Sequence, residues 1–297
     1  MRILNIGSLN IDYVYTVDHF VRPGETQSTY SLEKFGGGKG LNQSIAAARA
    51  GGAVWHCGCI GGDGHFLCAL LQEAGVDVSF VQTVSQPTGH TIIQVDPAGQ
   101  NAILYHAGAN RAVQPDRIRE VLRAFVAGDI LLVQNEISCL GEIMQQAADK
   151  GLWIALNPSP FDDKIASLPL DLANCLILNA LEGEALSGTD QSEQILQTLR
   201  IRYPKAELLL TLGRQGAWYW DGHALYQQSA YSVKTVDTTG AGDTFTGYFL
   251  AGRAAGLPPA DNLRRACAAA ACAVMHKGAA ASIPTAAQTD TFLSALG

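Results

Sequence analysis

The residues best suited to chemistry lie in Asp237-Thr238-Thr239-Gly240-Ala241-Gly242-Asp243-Thr244-Phe245-Thr246-Gly247. The run reads as a strand end, a tight glycine turn and the start of a helix, with Thr238 or Thr239 placed to cap it. Gly240 and Gly242 let the backbone approach a ligand closely. The first amides of a helix lack partners within it, and the helix dipole adds partial positive charge, so this turn suits a phosphate or a developing anion. Asp243 lies in the same turn and can accept a proton. An anion stabiliser beside a base is what phosphoryl transfer to an alcohol requires. The plainer reading is a glycine-rich turn with a favourably placed acid, so the rest of the chain has to decide.

A second group of chemistry-bearing residues lies near the N-terminus. Asn10 and Asp12 are two apart, so in extended chain they share a side and can grip vicinal hydroxyls. A simple turn is the competing explanation. In Phe35-Gly36-Gly37-Gly38-Lys39-Gly40-Leu41-Asn42-Gln43 the P-loop spacing is absent, because Gly40 follows Lys39 where a hydroxyl residue is required. Lys39 and Asn42 are spaced to face one ligand at a helix start, against the alternative of a solvated surface turn.

The elements that must position these groups follow from hydrophobic pattern. Ile3 to Ile6 reads as a buried strand, Tyr13 to Val17 and Thr26 to Phe35 as exposed strands turning at Pro23-Gly24, and Leu41 to Arg49 as a helix. Thr88 to Val95 and Ala102 to His106 read as a hairpin that joins the early strands in a small separate sheet. From Pro115 the alternation is regular. Helices are expected at about Pro115–Ala127, Leu140–Lys150, Leu181–Leu186 and Gln191–Arg202. The strands between them are expected at Asp129–Gln134, Leu152–Leu156, Cys175–Leu178 and Glu207–Leu212. That order implies a parallel sheet covered on both faces, with its ligand crevice at the carboxyl ends of the strands. Glu136, Asn157, Asn179, Glu182, Thr211, Gly213 and Gly216 each follow such a strand, and Asp237 and Asp243 follow the Ser232–Val236 stretch. The alanine-rich helix expected over Pro259–Met275 offers either a flat surface for adenine or tight helix packing.

Composition sets the outer limits. The chain has 297 residues, 47% hydrophobic and 16% charged, enough for a sizeable core. A formal net charge of -7 argues against nucleic acid or an anionic membrane as the main partner. Seven scattered cysteines complete no zinc site, and their odd number fits a reducing cytoplasm. The chain shows no signal-peptide pattern and no long apolar run that would span a bilayer. A nicotinamide-dependent oxidoreductase is disfavoured, because no G-x-G-x-x-G follows the first strand. A non-catalytic sugar-binding protein is the other alternative, and the presence of Asp243, Glu182 and the glycine turn speaks against it.

The ordered motifs Gly7-Ser8-Leu9-Asn10-Ile11-Asp12, Gly37 through Gln43, His106-Ala107-Gly108-Ala109-Asn110, Asn157-Pro158, Asn179-Ala180-Leu181-Glu182, Thr211-Leu212-Gly213 and Asp237 through Phe245 cover nearly the whole chain. Together they resemble the ribokinase-like, or phosphofructokinase-B-type, sugar kinases. The resemblance implies one three-layer α/β domain over residues 1–297: a central, mostly parallel sheet between helices, with a small β lid drawn from strands within about 11–35 and 88–106. It implies ATP-dependent phosphorylation of a sugar hydroxyl, with D-ribose to D-ribose 5-phosphate as the leading reading. Another small sugar (deoxyribose or a ketose) or a nucleoside is the alternative acceptor. By the same resemblance Asp243 is the base, and the amides of Gly240, Ala241 and Gly242 form the anion hole. Asn10, Asp12, Gly38, Lys39, Asn42 and Glu136 hold the sugar. Asn179, Thr211, Gly213, Gly216 and Gly242 hold ATP, and Glu182 acts on Mg2+ through water. A potassium ion is expected at Asp237, the carbonyls of Thr239, Ala273 and Gly278, and Ser282. A homodimer through the lid is expected as well. Two positions depart from the pattern: an extra glycine, Gly36, and Tyr248 where a small residue is usual.

Overall fold

A computed structural model describes residues 1–296. Its larger sheet has nine strands in the order β13-β12-β11-β10-β9-β8-β1-β4-β5. On one side of β1 (Ile3–Ile6) lie β4 (Val54–Ile60) and β5 (Asp77–Thr83). On the other lie β8 (Ile130–Gln134), β9 (Trp153–Asn157), β10 (Cys175–Asn179) and β11 (Glu207–Thr211). All these strands pair in parallel, and the antiparallel hairpin β12 (Ala217–Trp220) and β13 (Leu225–Gln228) extends one edge. The chain winds away from β1 in both directions, so β1 and β8 flank a topological switch point. A crevice is expected there, at the carboxyl strand ends.

Alternate strand residues enter two different cores, which accounts for the three layers. Ile3, Ile130, Leu132, Ile177 and Leu209 face one side. Leu4, Leu131, Val133, Leu178 and Leu210 face the other. Successive side chains of a strand point to opposite faces, so a strand apolar at every position needs cover on both. One cover is α1 (Lys39–Arg49), α2 (His65–Glu73), α7 (Ala241–Ala254) and α8 (Pro259–Ala273), with α9 (Ala286–Ser294) packed on α8. The other is α3 (Pro115–Leu122), α4 (Leu140–Lys150), α5 (Ala180–Ser187) and α6 (Ser192–Arg202).

The second sheet has four strands in the order β3-β2-β6-β7. They are β2 (Asn10–Thr16), β3 (Ser31–Gly37), β6 (Gly89–Val95) and β7 (Asn101–His106). Asn10 pairs with Gly37, so the start of β2 and the end of β3 meet beside the first turn of α1. This puts Asn10 and Asp12 on a strand, as expected. The strand expected over Thr26–Phe35 instead begins at Ser31 and runs into the glycines; the chain before it turns at Pro23-Gly24 without pairing.

Two other expectations are corrected. Ser232–Val236 is not a strand: the Val236 N–H donates to Val274 O (2.8 Å) at the end of α8, beyond the sheet edge. Helix α3 ends at Leu122 rather than Ala127. There the chain turns to seat Phe125 against Trp55, and the Val126 N–H donates to Asp129 Oδ2 (3.0 Å). Of the two readings left open for the alanines of α8, their burial is what tight helix packing requires.

Candidate active site

Helix α7 brings the opening motif to the crevice. Its close approach to α1 requires Gly247, where an added Cβ would lie 2.6 Å from Ala47 N and 2.7 Å from Gln43 O. One turn earlier in α7, Asp243 meets α1 side chain to side chain. Asn42 Nδ2 donates to Asp243 Oδ2 (2.9 Å), and Gln43 Nε2 donates to Asp243 Oδ1 (2.9 Å). The carboxylate is 8% exposed, so it is buried but reachable.

Gly240 takes the left-handed conformation (φ 75°) that a side chain would oppose, and it stands at the N-cap. No side chain caps α7, contrary to the expectation for Thr238 or Thr239. Thr239 Oγ1 donates to Asp237 Oδ1 instead (2.7 Å). The Ala241 N–H donates to Thr238 O (3.3 Å), and no side chain competes with an outside anion for the amides beside it.

A cavity of about 130 Å³ opens at this helix start. Of the expected residues, Lys39, Asn157, Asn179, Glu182, Thr211, Gly240, Gly242 and Asp243 line it. Ser159 and Thr246 also line it, and the sequence pattern did not single them out. A groove of about 640 Å³ between α6 and the β12–β13 hairpin is larger, but no expected site residue lines it. Convergence of acid, base and amides, rather than size, identifies the smaller cavity as the candidate site.

Lys39 sits among the carboxylates of Asp243, Glu136 and Glu182. Burial works against its charge, but their combined attraction outweighs this and raises its pKa. Glu136 accepts hydrogen bonds from Ser8 Oγ and from the Lys39 N–H (3.0 Å). Burial dominates there and raises its carboxyl pKa, against the opposing bonds from Ser8 and Lys39. Asp12 is likewise raised by burial, opposed by the Thr91 hydroxyl bonded to it (2.5 Å). Asn10 Oδ1 accepts from Asn110 Nδ2 (2.7 Å), and Asn110 Oδ1 accepts from the Leu9 N–H (3.0 Å). Asn110 is thus the member of the His106–Asn110 motif that reaches the site residues, whereas His106 is exposed and packs beside His90. Asn10, Asp12, Gly38, Asn42 and Glu136 form a polar wall running from the small sheet to Asp243.

On the other flank Asn179 and Glu182 form a capping box at α5. Glu182 N–H donates to Asn179 Oδ1 (2.9 Å), and Asn179 N–H donates to Glu182 Oε2 (2.9 Å). The expected nucleotide and magnesium residues therefore have a structural duty too. Gly213 and Gly216 bracket a short 3-10 turn after β11. Beneath the α7 turn, Asp237 accepts from the Thr239 N–H (2.9 Å) and the Gly278 N–H (2.9 Å). Partial burial would raise its pKa, but these bonds outweigh it and the net shift is downward. The Gly278 bond ties the two loops bearing the expected cation ligands together, and Ser282 Oγ donates to Ala279 O within the second (3.0 Å). Tyr248, on α7 behind Asp243, is buried. Its hydroxyl donates to Pro284 O (2.8 Å) and accepts from Thr289 (3.2 Å), joining α7 to the chain around α9. Its side chain is accommodated by a satisfied hydroxyl. Gly36 pairs with Ile11 at the end of β3.

A helix start without a side-chain cap, with a carboxylate in its first turn and polar side chains beside it, has the features of a phosphotransferase site. The chain belongs to the pfkB family carbohydrate kinases, whose model matches residues 2–286. It is therefore an ATP-dependent sugar kinase. Its relatives include a ribokinase of Haemophilus influenzae, 34% identical over 297 residues, covering 97% of each chain. Among solved structures, Arabidopsis thaliana ribokinase complexed with ribose and ATP superposes with a TM-score of 0.88 at 30% identity, covering 98% of each chain. Cryptococcus neoformans ribokinase in complex with ADP gives a TM-score of 0.86 at 32% identity, covering 98% of this chain and 99% of that one.

Proposed function

We propose that this kinase phosphorylates D-ribose, giving D-ribose 5-phosphate and ADP. The observation that carries the chemistry is Asp243, buried yet reachable, in the first turn of an uncapped helix. The choice of ribose is supported by the similarity to ribokinases, one of them solved with ribose and ATP.

Each group then has a task. Asn10, Asp12, Gly38, Lys39, Asn42 and Glu136 hold the sugar so that its hydroxyl lies against Asp243. Asp243 takes the hydroxyl proton as the oxygen attacks the terminal phosphorus of ATP and the bond to the ADP oxygen breaks. The amides of Gly240, Ala241 and Gly242 stabilise charge on the group in transfer. Asn179 with Thr211, Gly213 and Gly216 holds the nucleotide. The four-stranded sheet acts as a lid over the sugar and excludes water.

Two ions fit the donor sets. Glu182 has one oxygen committed to the Asn179 N–H, and among the described residues no cluster of three acidic, His or Cys side chains can hold a metal. A lone carboxylate suits Mg2+ held through water and the substrate phosphates, where the ion would neutralise phosphate charge. Asp237, the carbonyls of Thr239, Ala273 and Gly278, and Ser282 would hold K+ beneath the anion hole. Equal activity in potassium and in a large inert cation would remove that ion from the scheme.

The lid also carries the proposed dimer contact. Tyr30 and Leu32 are exposed at one edge, and Ile103, Leu104 and Tyr105 at the other. Seven free cysteines suit a cytoplasmic setting. The decisive experiment is coupled ADP release over a panel of ribose, deoxyribose, ketoses and nucleosides with Mg2+ and K+ present. The highest kcat/KM is expected for D-ribose; a clear preference for another acceptor overturns the substrate assignment.

A further inference from the structure

Asp243 is held by more than its own helix. Gln43 Nε2 donates both to Asp243 Oδ1 (2.9 Å) and to Asn157 Oδ1 (3.0 Å). Its Oε1 accepts from Gln134 Nε2 (2.7 Å), which also donates to Asn5 Oδ1 (3.0 Å). Asn5 Nδ2 in turn donates to Gly40 O (2.8 Å) and Ser44 Oγ (2.8 Å). Asn5, Gln43 and Gln134 are wholly buried, so no solvent can exchange roles with them.

The polarity of this chain follows from groups that cannot reverse. A backbone carbonyl only accepts, so Gly40 O requires the NH2 of Asn5 to face it. Asn5 then presents oxygen to Gln134, which must answer with NH2. Gln134 also presents that NH2 to Gln43, which must answer with oxygen. The NH2 of Gln43 is left for Asp243. A second anchor agrees: Asn157 Nδ2 donates to Ile177 O (2.9 Å), so Asn157 presents oxygen to the same Gln43 NH2. The arrangement leaves Gln134 Oε1 buried with no partner among the described residues, a cost that packing alone does not explain. Asn42 is different. Its Oδ1 has no partner, so nothing but Asp243 fixes its orientation.

We propose that Gln43 is a positioning residue for Asp243, its amide locked by Gly40 O through Asn5 and Gln134 and by Ile177 O through Asn157. This rests on the reading of Asp243 as the base. Before any sugar arrives, one oxygen of the carboxylate is pinned, while the other meets Asn42, which is free to turn. Such preorganisation aligns the base without reorganisation during the reaction.

The test uses Gln43→Met, which keeps the length of the side chain and removes the donor. We expect kcat to fall by about 10- to 100-fold. Sugar and ATP KM should stay within about threefold of the parent, the pattern of an interaction felt mainly in the transition state. Unchanged kcat, or a rise in KM alone, overturns the proposal. If that variant does not fold, the unaltered protein decides by NMR. The side-chain amide protons of Gln43 and Gln134 should be strongly protected from solvent exchange, and exchange as fast as in free glutamine overturns the proposal. Asp243→Asn separates the two readings: if it turns over normally, the base assignment fails while the exchange result still reports on the locked amides.

Discussion

The two sheets of this protein use similar residues to different ends. The nine-stranded sheet is covered on both faces, and its carboxyl-end loops and the adjoining helices carry Asp243, whose side-chain partners Asn42 and Gln43 lie on the buried helix α1. The four-stranded sheet leaves its edges open: β3 is exposed at five of seven positions and β7 at five of six. Its apolar residues Ile103, Leu104 and Tyr105 stay available to another molecule. On the proposed function, the chemistry common to many acceptors falls to the sheet covered on both faces, and acceptor choice and association to the sheet with spare surface.

The sharpest way to break that comparison is Asp243→Asn. Its kcat should fall by about 10²- to 10⁴-fold, the usual contribution of a general base. The fold should survive, because only one of the two donors must yield. Asn42, unpinned, can turn its oxygen to the new amide, while Gln43 cannot. Near-normal turnover would show that the stiff corner is not where the proton goes.

Glu136→Gln probes the boundary between the regions. Burial raises the Glu136 pKa above its unfolded value, with the Ser8 and Lys39 bonds opposing. A group so raised contributes stability below its unfolded pKa and loses it as pH rises through the folded value, so the ionised form costs stability at neutral pH. The variant should melt no lower than the parent at pH 7. Its sugar KM should rise by about 10- to 100-fold, as loss of a charged hydrogen-bonding group implies. Lower stability with unchanged KM would make Glu136 a structural residue.

On the outer sheet, Leu104→Arg should weaken self-association by about tenfold or more, measured by analytical ultracentrifugation. The fold should stay intact, because Leu104 is 67% exposed. Unaltered association would move the dimer contact elsewhere. The smallest effect belongs to Asp237→Asn. Asp237 is partly buried, which alone would raise its pKa, but bonds from Thr239 and Gly278 outweigh this and lower it. The stability it lends is present above its unfolded value and is lost as pH falls through the folded one. The variant should be less stable at pH 7 by about 1 kcal/mol or less, since solvent screens the group. The difference should shrink as pH falls through the folded pKa and vanish once the carboxyl is protonated in both states. A difference that persists in acid would mean the loops depend on shape rather than charge.

The sequence alone determined the alternation that builds the large sheet, because strands apolar at every position, separated by amphipathic helices, allow few other arrangements. It also marked the glycine turn, its acid and the residues after each strand, because those roles depend on local spacing. It misplaced Ser232–Val236, since an extended polar segment looks the same whether it pairs with a strand or lies against α8. It missed the caps as well: whether Thr239 caps α7 depends on the Asp237 carboxylate competing for its hydroxyl. The tertiary structure alone decided the surroundings of Asp243. Asn5, Gln43, Gln134 and Asn157 lie far apart in sequence, on separate strands and a helix; local pattern marks Asn157 and Gln43 singly, but nothing local announces that the four meet. Asp243 reaches Gln43 because Gly247 lets α7 settle on α1. Two backbone carbonyls then dictate which way each amide must face.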